Sequence, residues 1–344
     1  MEILKDRFLE ITEQTKKDLQ AYGREEAPSL LARIRSLFGR KIPKKDFFNW
    51  PAGLLLLGLW EAGETESVRG YFDECLKKQE GFLRVDDALS GYVLVQLYKE
   101  TGEETYAEAA HRLYAFLQEA PANAEGSLIY NPQARNNAIF ADGAGMAAMF
   151  FAGYGMAFQK EEALRRARGE LLAFRAHGME EDPFLPCHGF ILNENAKKGV
   201  IGWGRAVGWI LMGLSVYLQE AAAVPDEEIG AFYRALCESA LTYEKDNGLY
   251  PWQMKKDEEK TDTSASAMIG LSYLYGGRVT DPRFQEAADR CFTTLYDEAT
   301  DGVVNGALAE CLDFNNHPQN YGHYPWGQGA ALAFLSVKRK MHLR

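Results

Sequence analysis

Residues 139–158, IFADGAGMAAMFFAGYGMAF, decide the fold of this chain. From Met146 onward the apolar residues are mostly three or four apart and polar side chains are scarce, which predicts a helix that is buried on all sides. Residues 160–176 follow with KEEALRRARGELLAFRA, which predicts an amphipathic helix with a charged outer face. We therefore expect a hairpin of one inner and one outer helix.

The same kind of hairpin recurs along the chain about every 50 residues, a period typical of repeat architectures. The predicted inner and outer helices are 51–62 with 65–79, 88–100 with 104–119, 143–158 with 160–176, 203–219 with 226–245, and 264–275 with 281–297. The sixth inner helix, 325–340, takes the N-terminal helical stretch from residue 4 to about residue 38 as its partner, which closes the ring. The pattern predicts an all-α protein, a six-hairpin (α/α)6 toroid forming a single domain over residues 1–344.

Composition excludes several function classes. The chain has 344 residues, 47% of them hydrophobic, and a formal net charge of -11, so we expect neither nucleic acid nor an anionic membrane surface as a partner. No apolar run is long enough to span a bilayer, and the first residues carry no apolar signal segment. The five cysteines are odd in number and widely spaced, as is usual for reduced thiols. We expect a cytoplasmic monomer or homodimer.

The segments that enter the inner helices are long and irregular, whereas the opposite connections are short. In a toroid the long segments therefore gather at one mouth, where binding and catalytic residues are usually found. The residues expected around this mouth are Trp50, Asp86, Asp87, Asp142, His188, Trp203, Arg205, Trp209, Trp252, Asp262 and Tyr324.

Asp142 is a single carboxylate between apolar residues and two glycines at the start of an inner helix. It fits either a helix N-cap or a buried acid that reacts with a ligand. Asp86 or Asp87 can face it across the mouth, the arrangement expected when one acid stays protonated and the other is ionised. Capping accounts for one of these two aspartates.

Aromatic residues and one arginine suggest a carbohydrate site. Phe140, Trp203, Trp209, Trp252 and Trp326 can stack on sugar rings or pack in the core. Arg205 stands in an otherwise apolar helix start and, once buried, must pair with either a protein carboxylate or a ligand carboxylate.

Cys187-His188-Gly189 resembles the zinc-binding tripeptide of lanthionine-cyclase-like proteins, which are also α/α toroids. Zinc would need further ligands, but Cys75, Cys237 and Cys291 fall in predicted outer helices and only Cys311 falls in a mouth segment. We expect no metal and no cofactor.

Five segments in order resemble the unsaturated rhamnogalacturonyl and unsaturated glucuronyl hydrolases, glycoside hydrolase families 105 and 88. They are Val85-Asp86-Asp87-Ala88-Leu89-Ser90-Gly91, Ile139-Phe140-Ala141-Asp142 with Met146, His188-Gly189-Phe190, Trp203-Gly204-Arg205-Ala206-Val207-Gly208-Trp209, and Asp262-Thr263-Ser264-Ala265-Ser266-Ala267-Met268. The resemblance runs from Trp50 to the end of the chain.

The resemblance implies a six-hairpin α/α barrel that removes a 4,5-unsaturated uronic acid from the non-reducing end of oligosaccharides. Asp142 matches the general acid that protonates C4 and then helps water add at C5, without a metal. Asp86 matches the second family aspartate, which orients sugar hydroxyls, and Asp87 is the alternative. The remaining substrate-binding candidates are Phe140, His188, Trp203, Arg205, Trp209, Thr263 and Ser264, with Arg205 or the Thr263-Ser264 segment expected to hold the uronate carboxylate.

The chain departs from the family at three places. The family usually has Gly-Asn at Ala206-Val207, Trp at Phe140 and Glu at Asp262, which predicts altered substrate contacts more than an altered reaction.

Two other functions are compatible with a toroid. One is a sugar epimerase of the acylglucosamine-epimerase type using His188, His317 or His323, and the other is a non-catalytic carbohydrate-binding protein.

Overall fold

The computed structural model describes residues 2–24, 45–79, 81–132, 137–223, 225–256, 260–276 and 281–342. The helices in chain order are α1 (Glu2–Tyr22), α2 (Trp50–Ala62), α3 (Thr65–Lys78), α4 (Asp87–Thr101), α5 (Glu104–Glu119), α6 (Ala141–Ala157), α7 (Glu161–Gly178), α8 (Gly204–Glu220), α9 (Glu227–Leu241), α10 (Thr263–Tyr275), α11 (Pro282–Glu298) and α12 (Pro325–His342). The part of the predicted N-terminal helix that falls between residues 25 and 38 lies outside the described residues.

The even-numbered helices form the inner ring. Each packs against the next along the chain, and α12 returns to pack against α2, so the ring is closed. The odd-numbered helices lie outside, and α1 packs against both α2 and α12, as the predicted partner of the last inner helix must. The arrangement confirms the (α/α)6 prediction.

The composition of the two layers explains this order. The inner helix α6 is buried along almost its whole length, from Ala141 to Gly155, and Asp142 is its acidic residue. Outer helices such as α11 bury one face and leave charged residues on the other. Among the described helices, none combines the length and hydropathy that crossing a bilayer requires.

Glycine lets the inner helices touch through their backbones. A Cβ atom at Gly145 in α6 would lie 2.3 Å from the carbonyl oxygen of Trp209 in α8. A Cβ at Gly329 in α12 would lie 2.4 Å from the backbone of Leu54 in α2. Any larger side chain would force these helices apart, because backbone atoms cannot rotate out of the way.

Short β-strands lie in the long segments at the mouth of the ring. The antiparallel sheet β1–β2–β3 consists of Ile139–Phe140, Gly189–Ile191 and Ala196–Lys198, and a second pair joins β4 (Ala307–Leu308) to β5 (Tyr321–Gly322). The first sheet joins the segments that enter α6 and α8, whereas β4 and β5 both belong to the segment that enters α12.

We predict that Gly329→Ala destabilises the protein by about 1–3 kcal/mol, the usual cost of overpacking, because its methyl group meets the Leu54 backbone. Thermal or urea unfolding measures the change. The matched control is Gly70→Ala in the outer helix α3, where a Cβ meets nothing within 4 Å. That variant should be neutral or slightly stabilised, since alanine favours helix more than glycine does. Equal destabilisation of both variants would contradict the proposed backbone contact.

Candidate active site

A cavity of about 340 Å³ opens at the mouth of the ring, at the start of α4, α6 and α8. Its lining residues are Trp50, Arg84, Asp86, Tyr130, Asn131, Phe140, Asp142, His188, Trp203, Arg205, Glu310, Cys311, Leu312, Asp313 and Phe314. The volume lies in the range of small-molecule sites, about 300–1,000 Å³. Two predicted carboxylates, Asp142 and Asp86, therefore share one cavity with His188.

Asp142 lies in the first turn of α6 and is not the cap of that helix, since the residue before the helix is Phe140 and no side chain caps it. The strand pairing Phe140↔Gly189 and the hydrogen bond from the Ala141 N–H to the His188 carbonyl, 2.9 Å, fix its position. The Asp142 Oδ2 atom lies 3.5 Å from His188 Nε2.

The Asp142 side chain retains 15% of its exposure, whereas His188 is fully enclosed. Asp142 Oδ2 has no hydrogen-bond partner among the described residues. The Asp142 carboxyl group therefore lines the cavity with its exposed part, while its Oδ2 atom is buried against His188.

Aromatic rings hold His188. Its ring centroid lies 4.3 Å from that of Trp203 and 5.1 Å from that of Phe140, which in turn stacks on Phe314 at 4.3 Å. Cys311 Sγ lies 3.8 Å from His188 Nε2. Trp203 and Phe140 both line the cavity, so the aromatic wall predicted for sugar binding is present at these two positions.

Asp86 and Asp87 occupy different environments. The Asp87 carboxylate accepts hydrogen bonds from the backbone N–H groups of Leu83 and Arg84, at 2.7 and 3.3 Å, and so stabilises the turn before α4. Asp86 lines the cavity instead, where the Tyr130 hydroxyl donates to its Oδ2 at 3.3 Å. The geometry thus separates the two roles that the sequence left open.

Burial and the negative charge of Asp46 together raise the pKa of Asp86 to about 7, against the lowering effects of Arg84 and the Tyr130 hydroxyl. Asp86 therefore holds its proton to near-neutral pH. A protonated carboxyl can donate a hydrogen bond to a sugar oxygen, which an ionised one cannot.

Arg205 pairs with the protein. Its Nη1 donates to Asp262 Oδ2 at 3.2 Å and to the Leu308 carbonyl at 2.8 Å, and its Nη2 donates to the Ala309 carbonyl at 2.8 Å. The guanidinium also lies over the Trp203 ring, 4.9 Å from the centroid. Of the two partners considered for this arginine, the structure provides the protein carboxylate.

Thr263 and Ser264 are engaged at the start of α10. The Thr263 hydroxyl donates to the Asn305 carbonyl at 2.9 Å, and the Ser264 hydroxyl donates to Asp262 Oδ1 at 2.6 Å. Neither residue lines the cavity. The expected carboxylate-binding role of this segment finds no support in these contacts.

The other predicted aromatic residues are in the packed layer around the cavity. Trp209 lies edge-on to Trp50, with ring centroids 6.3 Å apart. Trp326 donates from Nε1 to the Leu308 carbonyl at 3.0 Å. Trp252 packs near His317, at 5.7 Å between centroids, without lining the cavity.

The remaining histidines of the mouth differ from His188. Burial and the nearby His188 together lower the pKa of His317 to about 4, so His317 is neutral at pH 7. His323 forms an ion pair with Asp18 at 2.9 Å, away from the cavity. Within the described ranges, no group of three or more His, Cys, Asp or Glu side chains is arranged to hold a metal ion.

Several cavity residues were not predicted from the sequence. They are Arg84, Tyr130, Asn131, Glu310, Cys311, Leu312, Asp313 and Phe314. Most belong to long mouth segments, and their length was the only signal available. Which side chains of such a segment turn inward depends on contacts far away in the sequence.

Known proteins resemble this chain over most of its length. The model of Glycosyl Hydrolase Family 88 matches residues 27–341. The unsaturated rhamnogalacturonyl hydrolase YesR of Bacillus subtilis (strain 168) is 25% identical over 348 residues, covering 94% of this chain and 98% of that protein.

Solved structures share the fold. A possible member of the GH105 family from Klebsiella pneumoniae subsp. pneumoniae MGH 78578 superposes with a TM-score of 0.84 at 15% identity, over 99% of this chain and 94% of that one. The unsaturated glucuronyl hydrolase of Bacillus sp. GL1 superposes with a TM-score of 0.70 at 16% identity, over 96% and 97%.

We predict that Asp86→Asn stabilises the folded protein at pH 8 and does so less at pH 5. The pKa of Asp86 is higher in the folded chain than in the unfolded one, so its contribution to stability falls as pH rises from about 4 through about 7. The asparagine removes this penalty, which is about 4 kcal/mol at most.

Chemical unfolding at both pH values measures the difference. Asp297→Asn in the exposed part of α11 is the control and should change stability by less than about 0.5 kcal/mol. An Asp86→Asn protein that is less stable than the wild type at pH 8 would contradict the assigned cost of ionising Asp86.

Proposed function

The chain belongs to glycosyl hydrolase family 88, and from this we propose that it removes a 4,5-unsaturated uronic acid from the non-reducing end of lyase-generated oligosaccharides. Unsaturated galacturonyl-rhamnose is one such substrate, in line with the activity named for the relative YesR. The reaction proposed is hydration of the vinyl ether double bond. The observation that carries it is the Asp142 carboxyl group, which lines a sugar-sized cavity and retains 15% of its side-chain exposure.

The proposed reaction consumes one molecule of water and returns Asp142 to its protonated form. Asp142 gives a proton to C4, and the resulting positive charge is shared between C5 and the ring oxygen. Asp142, now a base, takes a proton from water as the water oxygen bonds to C5. The hemiketal opens to a ketone by breaking the bond between C5 and the ring oxygen, and the hemiacetal left at C1 releases the neighbouring sugar as an alcohol. No covalent sugar–enzyme intermediate is needed, unlike in retaining glycosidases.

Three further residues orient the substrate and the catalytic carboxyl group: Asp86, Tyr130 and His188. Asp86, protonated near neutral pH, is suited to donate to a sugar oxygen, and Tyr130 fixes the orientation of its carboxyl group. His188 lies against Asp142 and is held by Trp203, so it keeps the Asp142 carboxyl aimed at the cavity. Phe140 and Trp203 give the cavity an apolar wall against which the ring of the substrate can pack.

The sugar attached to the uronate can bind in a second cavity next to the first. A second cavity of about 660 Å³ shares Arg84, Asp86, Tyr130 and Asn131 with the first and extends towards Phe116 and Glu119 at the end of α5. We assign the sugar attached to the uronate to this side, past Asp86.

We further propose a single-domain cytoplasmic protein. The closed ring of inner helices runs through the described parts of the chain from α2 to α12, which supports one domain. All five cysteines are free thiols, which supports a reducing compartment.

We predict that Asp142→Asn keeps the fold and lowers kcat by about 10²–10⁴-fold, the usual contribution of general acid–base catalysis. The assay follows loss of the ultraviolet absorbance of the conjugated double bond in lyase-generated disaccharides, with a chelator present. Asp297→Asn is the surface control, and circular dichroism checks the fold. Wild-type-like turnover by Asp142→Asn would refute the role of Asp142.

We predict that kcat/KM falls as pH rises through about 7, because Asp86 loses the proton with which it binds the sugar. Rates between pH 5 and 9 give the profile. Whatever activity remains in Asp86→Asn should lack this decline. A wild-type profile that is flat from pH 6 to pH 8.5 would exclude a required proton on Asp86.

A further inference from the structure

The proposed substrate carries a carboxylate, yet the cavity that receives it is acidic. Asp86, Asp142, Glu310 and Asp313 all line it. An anionic sugar needs a compensating positive charge there, since burying an unpaired charge is costly. The following inference rests on the proposed function and concerns the source of that charge.

Arg205 is poorly placed to supply it. The guanidinium is 1% exposed and already donates to Asp262 and to two backbone carbonyls. To reach a substrate it would have to break its pairing with Asp262, which is completely buried and would be left with an uncompensated charge.

Arg84 differs from Arg205 both in its exposure and in its hydrogen-bond partners. Among the described residues that line the two cavities, Arg84 and Arg205 are the only lysine or arginine side chains, and Arg84 lines both cavities. Its side chain is 63% exposed and precedes Asp86 by two residues. The contact found for its guanidinium is a loose ion pair, 3.6 Å from Nε to Asp46 Oδ2.

The ion pair with Asp46 holds Arg84 near the rim of the cavity when no ligand is bound. The Asp46 side chain is 4% exposed, and its Oδ1 accepts from the Phe48 N–H at 3.1 Å, which fixes the carboxylate at the start of the chain segment leading into α2. The exposed guanidinium is held by one edge and retains further N–H donors. It can therefore bind a second carboxylate without leaving a buried charge unpaired.

We propose that Arg84 recognises the carboxylate of the terminal unsaturated uronate. The planar guanidinium binds it by charge-assisted hydrogen bonds at the boundary of the two cavities, while its Nε edge stays paired with Asp46. Arg84 thereby selects acidic over neutral sugars, a task that the sequence pattern suggested for Arg205 or the Thr263-Ser264 segment.

The test compares an unsaturated uronide disaccharide with its methyl ester, which has no negative charge. Arg84→Gln should lower kcat/KM for the acid by about ten- to one-hundred-fold, mainly through KM, as expected for the loss of one charge-assisted interaction. The same variant should change the ester within about twofold, because uniform binding to the carboxylate is absent there. Arg84→Lys should retain part of the preference, since it keeps the charge but not the fork of donors.

Arg165→Gln, which removes an exposed arginine from the outer helix α7, is the control for net charge and should not alter either substrate. Equal losses on acid and ester would show that Arg84 is merely structural, and an unchanged acid rate would remove it from recognition. Calorimetric binding of the free unsaturated uronate to the same variants gives the comparison without turnover. If the wild type turns over neither disaccharide, the proposed function fails, and this binding series still decides the role of Arg84.

Discussion

Backbone contact between neighbouring inner helices is the constraint on which the rest of the molecule depends. Gly145 meets the Trp209 carbonyl, and Gly329 meets the Leu54 backbone, so α6 and α8, and α12 and α2, lie closer than larger residues would permit. Helices at this separation fill the centre of the ring with their own side chains. The mouth segments build the cavity above the starts of these helices, and the apolar body beneath shields its charges from water. The desolvation that raises the pKa of Asp86 is thus a consequence of helix packing.

Carboxylates near the starts of inner helices have three different roles. Asp262 caps α10 and neutralises Arg205, and Asp87 stabilises the turn before α4 through two backbone N–H groups. Asp142 differs because it lines the cavity and its side chain retains 15% of its exposure, while His188 lies against its Oδ2 atom. A buried carboxylate that bonds to the backbone or to an arginine stabilises the fold, whereas one that borders an enclosed site can react with a ligand. This difference supports Asp142 as the proton donor among the aspartates of the mouth.

Much of the architecture could be predicted from the sequence, because inner and outer helices differ in a property that the sequence displays directly, the distribution of charge around the helix. The gathering of Asp142, Asp86, His188 and Trp203 followed from that architecture. The partners of individual side chains did not. Arg205 bonds to Leu308 and Ala309, a hundred residues away, and Arg84 lines the cavity through the course of a turn. Such contacts depend on loop conformation, for which local periodicity carries no information.

Turnover of a thioglycoside tests the central claim most directly, namely that this site hydrates a double bond instead of displacing a group at C1. In such a substrate sulfur replaces the glycosidic oxygen, which makes protonation and departure of the leaving group at C1 difficult but leaves the C4–C5 double bond unchanged. Hydration at Asp142 predicts that the wild type removes the ultraviolet absorbance of the unsaturated thioglycoside at a rate comparable to that of the oxygen glycoside. A protein that cleaves the oxygen glycoside but leaves the thioglycoside intact would contradict hydration and would indicate direct cleavage at C1.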